Sequence, residues 1–246
     1  MSLQSPSGKA SRGAALLLLA LAGCATPPPL PPPLSRTPLA TVASGAAQPR
    51  WYSTCFRFGA TADGQPDWAL DLLLADRVAG PALAEHAAGI TLWRFHRRAA
   101  PDAAGHMFTV LAYASRATAD ALRLRFDSDP VLARLRATGA LREVVHDCRA
   151  TEAAASIEAT SDPAWAPSVQ RSWPWFIMGV SASWLAIVRE IAREIPPDER
   201  DPLPGYRAID ARIDALWAGA AQHAYLHHLS GVYGYKPLKV ETWMRF

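Results

Sequence analysis

His223 and His227 stand four residues apart with His228 beside them, and Glu190 and Glu194 repeat that spacing earlier in the chain. On a helix, positions i and i+4 share a face, so two imidazoles and two carboxylates on paired helices could clamp a divalent metal. The H-E-x-x-H pattern is absent, however, and a 3.6-residue period puts His227 on an apolar stripe, where a core histidine is the simpler reading. Metal-dependent or small-molecule catalysis at these five residues is the minor alternative, and no cofactor is expected beyond that divalent ion. Gly179-Val180-Ser181-Ala182-Ser183 has the start of a G-x-S-x-G nucleophile elbow, but its last glycine is missing and it falls inside a helical pattern. Arg94, His96, Arg97 and Arg98 could bind an anion, although alternate strand positions face opposite ways and favour a solvated edge. No complete catalytic constellation is present.

Aromatic side chains form the fourth group. Six of the nine tryptophans and four of the six tyrosines lie from Trp165 onward. Trp173, Trp175, Trp184 and Trp217, with Phe176, could line a cleft for an apolar ligand or a face for a protein partner, because such rings supply large contact area. Burial tendencies favour the plainer reading, a core between a helical hairpin and a sheet.

These residues need helices to position them. Ser172-Trp173-Pro174-Trp175 reads as an extended approach to a helix ending near Glu194, with Ile177, Val180, Trp184, Val188, Ile191 and Ile195 on one stripe and Pro196-Pro197 as the stop. A second helix runs from roughly Gly205 to Leu229, with Tyr206, Ile209, Ile213, Leu216, Trp217, Ala220, Ala224 and His227 clustered by the 3.6 period. Together they predict an αα-hairpin. Gly231 to Pro237 reads as a loop, and Lys239 to Met244 as a last strand or cover.

The preceding hundred residues alternate between strand and helix patterns. Tyr52–Phe58, Ile90–His96, Met107–Ala114 and Leu141–Asp147 read as strands; Asp67 to about Ala79 reads as a helix that Pro81 ends or restarts. A second helical stretch spans about Ala117 to Phe126 and resumes to Thr138, with Asp129 as N-cap, Pro130 in the first turn and Gly139 past the end. The order β-α-β-β-α-β predicts an α+β fold with a ferredoxin-like split βαβ unit over residues 51–150, followed by the aromatic-rich helical hairpin of residues 151–246 packed on it. In that topology the first and last strands are antiparallel neighbours, which would bring Cys55 and Cys148 side by side. The Asp-Pro, short helix and Gly pattern resembles that of dimeric α+β barrels. The free sheet face is accordingly covered either by a second copy in a homodimer or by the chain's own last third.

The N-terminus carries a different kind of signal. Lys9 and Arg12 precede a short apolar run, Ala14 to Ala22, which closes on Leu21-Ala22-Gly23-Cys24 and is far below the roughly 20 residues of a membrane-spanning helix. This arrangement resembles the lipobox of bacterial lipoproteins, the alternative being an ordinary secretory signal with an incidental cysteine. The resemblance implies that residues 1–23 are a signal peptide removed in front of Cys24, whose thiol takes a diacylglyceryl group and whose amine takes a third acyl chain. Two or more chains give stable anchoring. Ala25, in place of Asp, implies sorting to the outer membrane, with the chain facing the periplasm. Residues 24–50, with Pro27-Pro28-Pro29-Leu30-Pro31-Pro32-Pro33 and Pro38, form a polyproline tether spanning several nanometres at roughly 3.1 Å per residue. In such an oxidising compartment the remaining pair, Cys55 and Cys148, is expected to form a disulfide.

Composition excludes other classes. Half the chain is hydrophobic and 19% is charged, as suits a globular chain rather than a disordered one. Loss of residues 1–23 removes two basic residues and no acid, so 25 basic against 22 acidic becomes 23 against 22. That balance gives no grip on nucleic acid. The expectation is a membrane-tethered envelope lipoprotein that acts as a binding or interaction module.

Overall fold

A computed structural model describes residues 48–59, 61, 64–99, 102, 105–149 and 155–235. The signal segment, Cys24, most of the tether and the Lys239 to Met244 stretch lie outside them. Runs rich in aromatic and β-branched residues form β1 (Arg50–Phe58), β2 (Ile90–Arg98), β3 (Met107–Ala114) and β4 (Leu141–His146). They make one antiparallel sheet in the order β2-β3-β1-β4, so the protein is α+β and its first and last described strands are neighbours.

The register alone does not join the cysteines, because Cys55 faces Val145. A straight ladder would carry Cys148 about 10 Å along the strand from that partner. Asp147 instead adopts a left-handed φ of 52° and donates its N–H to the Ser53 carbonyl at 2.6 Å. The chain turns back, and Cys148 bonds Cys55 with an S–S distance of 2.01 Å and Cα atoms 6.0 Å apart.

Helices α1 (Ala69–Leu74) and α2 (Gly80–Glu85) form one rod interrupted by a π turn, Ala75–Ala79. Of the two expectations for Pro81, the helix restarts there rather than ending. Pro81 cannot donate to a carbonyl one turn back, and its ring crowds that carbonyl; the wider turn just before it relieves the clash. Helix α3 (Arg116–Asp127) is capped by the Ser115 side chain and α4 (Pro130–Ala137) by Asp129, whose carboxylate accepts from the Val131 and Leu132 amides. Gly139 ends α4 at φ 76°, a value that favours glycine. Phe56, Phe108 and Val110 from the sheet meet Leu73, Leu122, Phe126 and Leu132 from these helices in the main core.

The last third contains α5 (Pro167–Glu194), α6 (Leu203–Leu216), a second π turn (Trp217–Ala221) and α7 (Gln222–Val232). Helix α5 begins before the expected approach and runs through Pro174. The Gln170 carbonyl, which Pro174 cannot serve, accepts instead from the Ser161 hydroxyl at 2.7 Å. Leu185, Val188 and Ile191 of α5 and Tyr206 and Ile209 of α6 join the main core, so α1 is buried on every side, between the sheet and this hairpin. The described residues on both sides of the expected boundary near 150 belong to one compact unit. The hairpin covers the β2 edge and the helical layer, and the first half of α5 also reaches the free sheet face. That face is met by a 3-10 turn, Ile157–Thr160, and by Met178, which pack on Trp51, Leu92 and Leu111.

Candidate functional site

Polar anchors fix the hairpin at two levels. At the sheet edge, the Phe95 amide has no strand to pair with and donates to Ser181 Oγ at 3.1 Å; the Ser181 hydroxyl donates to the Ile177 carbonyl at 2.8 Å. Capping an edge donor in this way also closes the edge to other strands. Ser181 is thus a packing residue and not a nucleophile. At the base of the hairpin, the buried Tyr206 hydroxyl donates to Asp76 Oδ2 at 2.6 Å and accepts from Arg77 Nε at 3.1 Å. Burial, then the hydrogen bond to Asp76, pushes the Tyr206 phenol well above its ordinary range. Asp76 and Arg77 are both held by the first π turn, which is why one tyrosine reaches both.

Beyond these anchors the two arms leave an apolar groove of about 720 Å³ between them. One wall is α5, with Trp175, Phe176, Val180 and Ile187; the other is Ile213, Leu216, Trp217, Tyr225 and Leu229. Trp175 is 51% exposed, Trp217 48% and Leu226 43%, although each lines a largely apolar space. Only Ser183 and Tyr225 bring side-chain hydroxyls to the lining. By length and composition α5 is apolar enough to cross a membrane, with a mean hydropathy of 1.3. Its inner face is nevertheless held to the sheet by Ser181, Leu185 and Val188, which leaves the outer face as groove wall.

The second π turn explains why the groove was only half legible. It adds a residue to one turn of helix, so the apolar row passes through Ala221, Tyr225 and Leu229 instead of the expected Ala220, Ala224 and His227. His227 is displaced from the stripe and is exposed. His223 stacks on it at 5.0 Å, and His228 Nδ1 donates to the Ala224 carbonyl at 2.6 Å. Glu190 pairs with Arg193, and Glu194 is exposed. Among the described residues, no three His, Cys, Asp or Glu side chains gather as a metal site would require. The imagined four-ligand clamp is not assembled.

Of the four tryptophans singled out, Trp175, Trp184 and Trp217 line the groove and Trp173 does not. Trp184 is its floor, edge-on to Phe95 at 5.9 Å. Trp173 packs on Trp165 and lies over the Arg94 guanidinium at 4.8 Å, outside the groove. The basic quartet on β2 also divides. Arg97 is sandwiched between Trp68 and Trp184, each 4.9 Å from its guanidinium carbon, and donates to the wholly buried Asp71 at 2.7 Å. His106 Nε2 shares that carboxylate at 3.1 Å. This Asp–His pair carried no sequence signal, since its members lie on different elements. The ring also meets Phe58 and Trp68, so the cluster ties β1, β2 and the start of α1 together.

No family model, curated protein or solved structure matches the chain.

Proposed function

We propose that this chain is a lipid-anchored envelope protein, facing the periplasm from the outer membrane, whose groove between α5 and α6–α7 holds a long acyl chain. The open apolar groove carries the reading: its size lies in the range of small-ligand sites, about 300–1,000 Å³, and its lining offers almost nothing to a polar ligand. A protein partner would be served by a flatter face with a polar, hydrogen-bonding rim. The lipobox-like Leu21-Ala22-Gly23-Cys24 and the proline tether support the location, because an acylated Cys24 would keep the groove within reach of lipid. The ferredoxin-like split βαβ arrangement belongs to the same proposal, supported by the chain order of elements and by β1 lying between β3 and β4.

The test is uptake of a fluorescent polyunsaturated fatty acid, cis-parinaric acid, by residues 25–246 exported behind an ordinary cleavable signal. Omitting Cys24 removes the need for detergent, which would compete for the groove. Saturable one-to-one uptake is expected, and Val180→Glu with Leu226→Glu should weaken it by about tenfold or more, since each carboxylate would have to be buried against the ligand. Both positions are exposed, so the unfolding midpoint should hold. Uptake that fails to saturate, or that ignores both charges, removes the proposal.

A further inference from the structure

On the sheet face turned away from α1–α4, the register lines up Arg94, Leu111 and Ser53 across three strands. The 3-10 turn arches over this row, fastened by Trp51 Nε1 donating to the Ile157 carbonyl and the Tyr113 hydroxyl to the Ala155 carbonyl, each at 2.9 Å. Beneath the arch is a cavity of about 170 Å³, lined by Arg94, Arg149, Ser53, Thr160 and Trp51 among others. Arg149 is placed at it by the turn after β4: the Cys55–Cys148 disulfide holds the preceding residue, and the Arg149 amide donates to Ser53 Oγ at 3.0 Å.

Two polar groups of this cavity are buried without a partner. Arg94 is only 5% exposed, yet its Nε has no hydrogen-bond partner, and neither has the buried Thr160 hydroxyl. Among the described residues no carboxylate pairs with Arg94 or Arg149. The charges that act on Arg94 and Arg149 are other arginines. Burial and then Arg149 hold the Arg94 pKa down to about 10, and burial followed by Arg149, Arg94 and Arg98 holds His96 down to about 4. Trp173 supports one face of the Arg94 guanidinium but accepts none of its protons in the plane. A buried guanidinium such as that of Arg94 is ordinarily matched by an anion, and Arg149 lies exposed at the rim beside it.

We propose that this cavity binds a small phosphate-type oxyanion, held by the guanidinium groups of Arg94 and Arg149 and the hydroxyl of Thr160. The volume equals that of roughly five or six waters, which admits a phosphate with its hydration and excludes a nucleotide. Two guanidinium groups and a hydroxyl offer more donors than the two oxygens of a carboxylate can satisfy, whereas a tetrahedral oxyanion presents acceptors in several directions. The same chemistry is found in free phosphate and in the phosphomonoester headgroup of a lipid.

Calorimetric titration of residues 25–246, exported as above, with inorganic phosphate tests the site. Saturable binding is expected, with a phosphate-dependent rise in the unfolding midpoint that acetate does not reproduce. Thr160→Val should weaken phosphate by about tenfold, the effect of losing one donor to a charged group. Arg94→Gln should abolish the phosphate-dependent rise while leaving the midpoint without phosphate unchanged or higher. Vesicles of phosphatidylcholine with and without phosphatidic acid separate the sources: retention on the acidic vesicles that is lost in Arg94→Gln and competed by phosphate assigns the headgroup, and no retention assigns free phosphate. Absence of saturable phosphate binding overturns the proposal. So does binding that persists unchanged in both variants, or acetate binding as tight as phosphate.

Discussion

Helix α5 separates two concave places of opposite character. Toward α6–α7 its Trp175 and Phe176 face an apolar groove, while two residues earlier Trp173 lies over the unpaired Arg94 of the basic cavity. The difference lies in what each costs the fold. An apolar side chain left in water forfeits stabilisation it never had, so an open groove is nearly neutral. A guanidinium taken out of water without an anion is a standing penalty. The groove is surplus surface, and the cavity is a debt.

The sharpest way to break this contrast is to truncate two aliphatic side chains on the same helical arm. Ile209, wholly buried at the hairpin base, should cost about 2–5 kcal/mol when changed to Ala, whereas Leu226, 43% exposed in the groove wall, should cost under about 1 kcal/mol. Urea midpoints at unchanged slope measure both. If Leu226→Ala is as damaging as Ile209→Ala, the groove end of the arm is part of the folding core and not free for a ligand.

The sequence disclosed the sheet better than the arms, for physical reasons that particular residues make plain. Met107–Ala114 reads correctly from its pattern alone, and Asp129, Pro130 and Gly139 mark helix ends because caps are local chemistry. Pro174 misleads, since its cost is offset by a distant hydroxyl, Ser161, that no window around the proline contains. The row ending at His227 slips because a π turn changes the period, and nothing in Trp-Ala-Gly-Ala-Ala announces one. The pairing of Cys55 with Cys148 was legible from topology, but the left-handed Asp147 that completes it was not. Arg94 was seen as one of four basic residues; that it alone would be buried unpaired depended on an arch from another part of the chain.

Ser181 tests whether the sheet places α5 between the two regions. Ser181→Ala leaves the buried Phe95 amide without an acceptor, a loss of about 1–3 kcal/mol. Thermal or urea unfolding measures it, and hydrogen exchange at the Phe95 amide should quicken. A neutral outcome with exchange unchanged would mean that apolar contacts alone seat the helix, and the groove geometry would then owe nothing to the strand edge.

The smallest effect concerns the basic cavity and is read in the pH dependence of stability. His96 is held neutral down to about pH 4 by burial and by Arg149, Arg94 and Arg98, against an ordinary value of 6.5. Between those two values the unfolded chain binds a proton at this position that the folded chain refuses, so stability falls as pH falls through the window; above it both states are neutral and the contribution vanishes. Wild type should therefore lose ground to His96→Gln on acidification from about pH 7 to about pH 5. Urea unfolding at several pH values measures the gap, which phosphate should narrow, because an anion on Arg94 and Arg149 would offset the positive charges that act on the imidazole. Parallel curves for the two proteins would mean that the charges beside His96 are already balanced, and the contrast between a neutral groove and a costly cavity would fail at its second half.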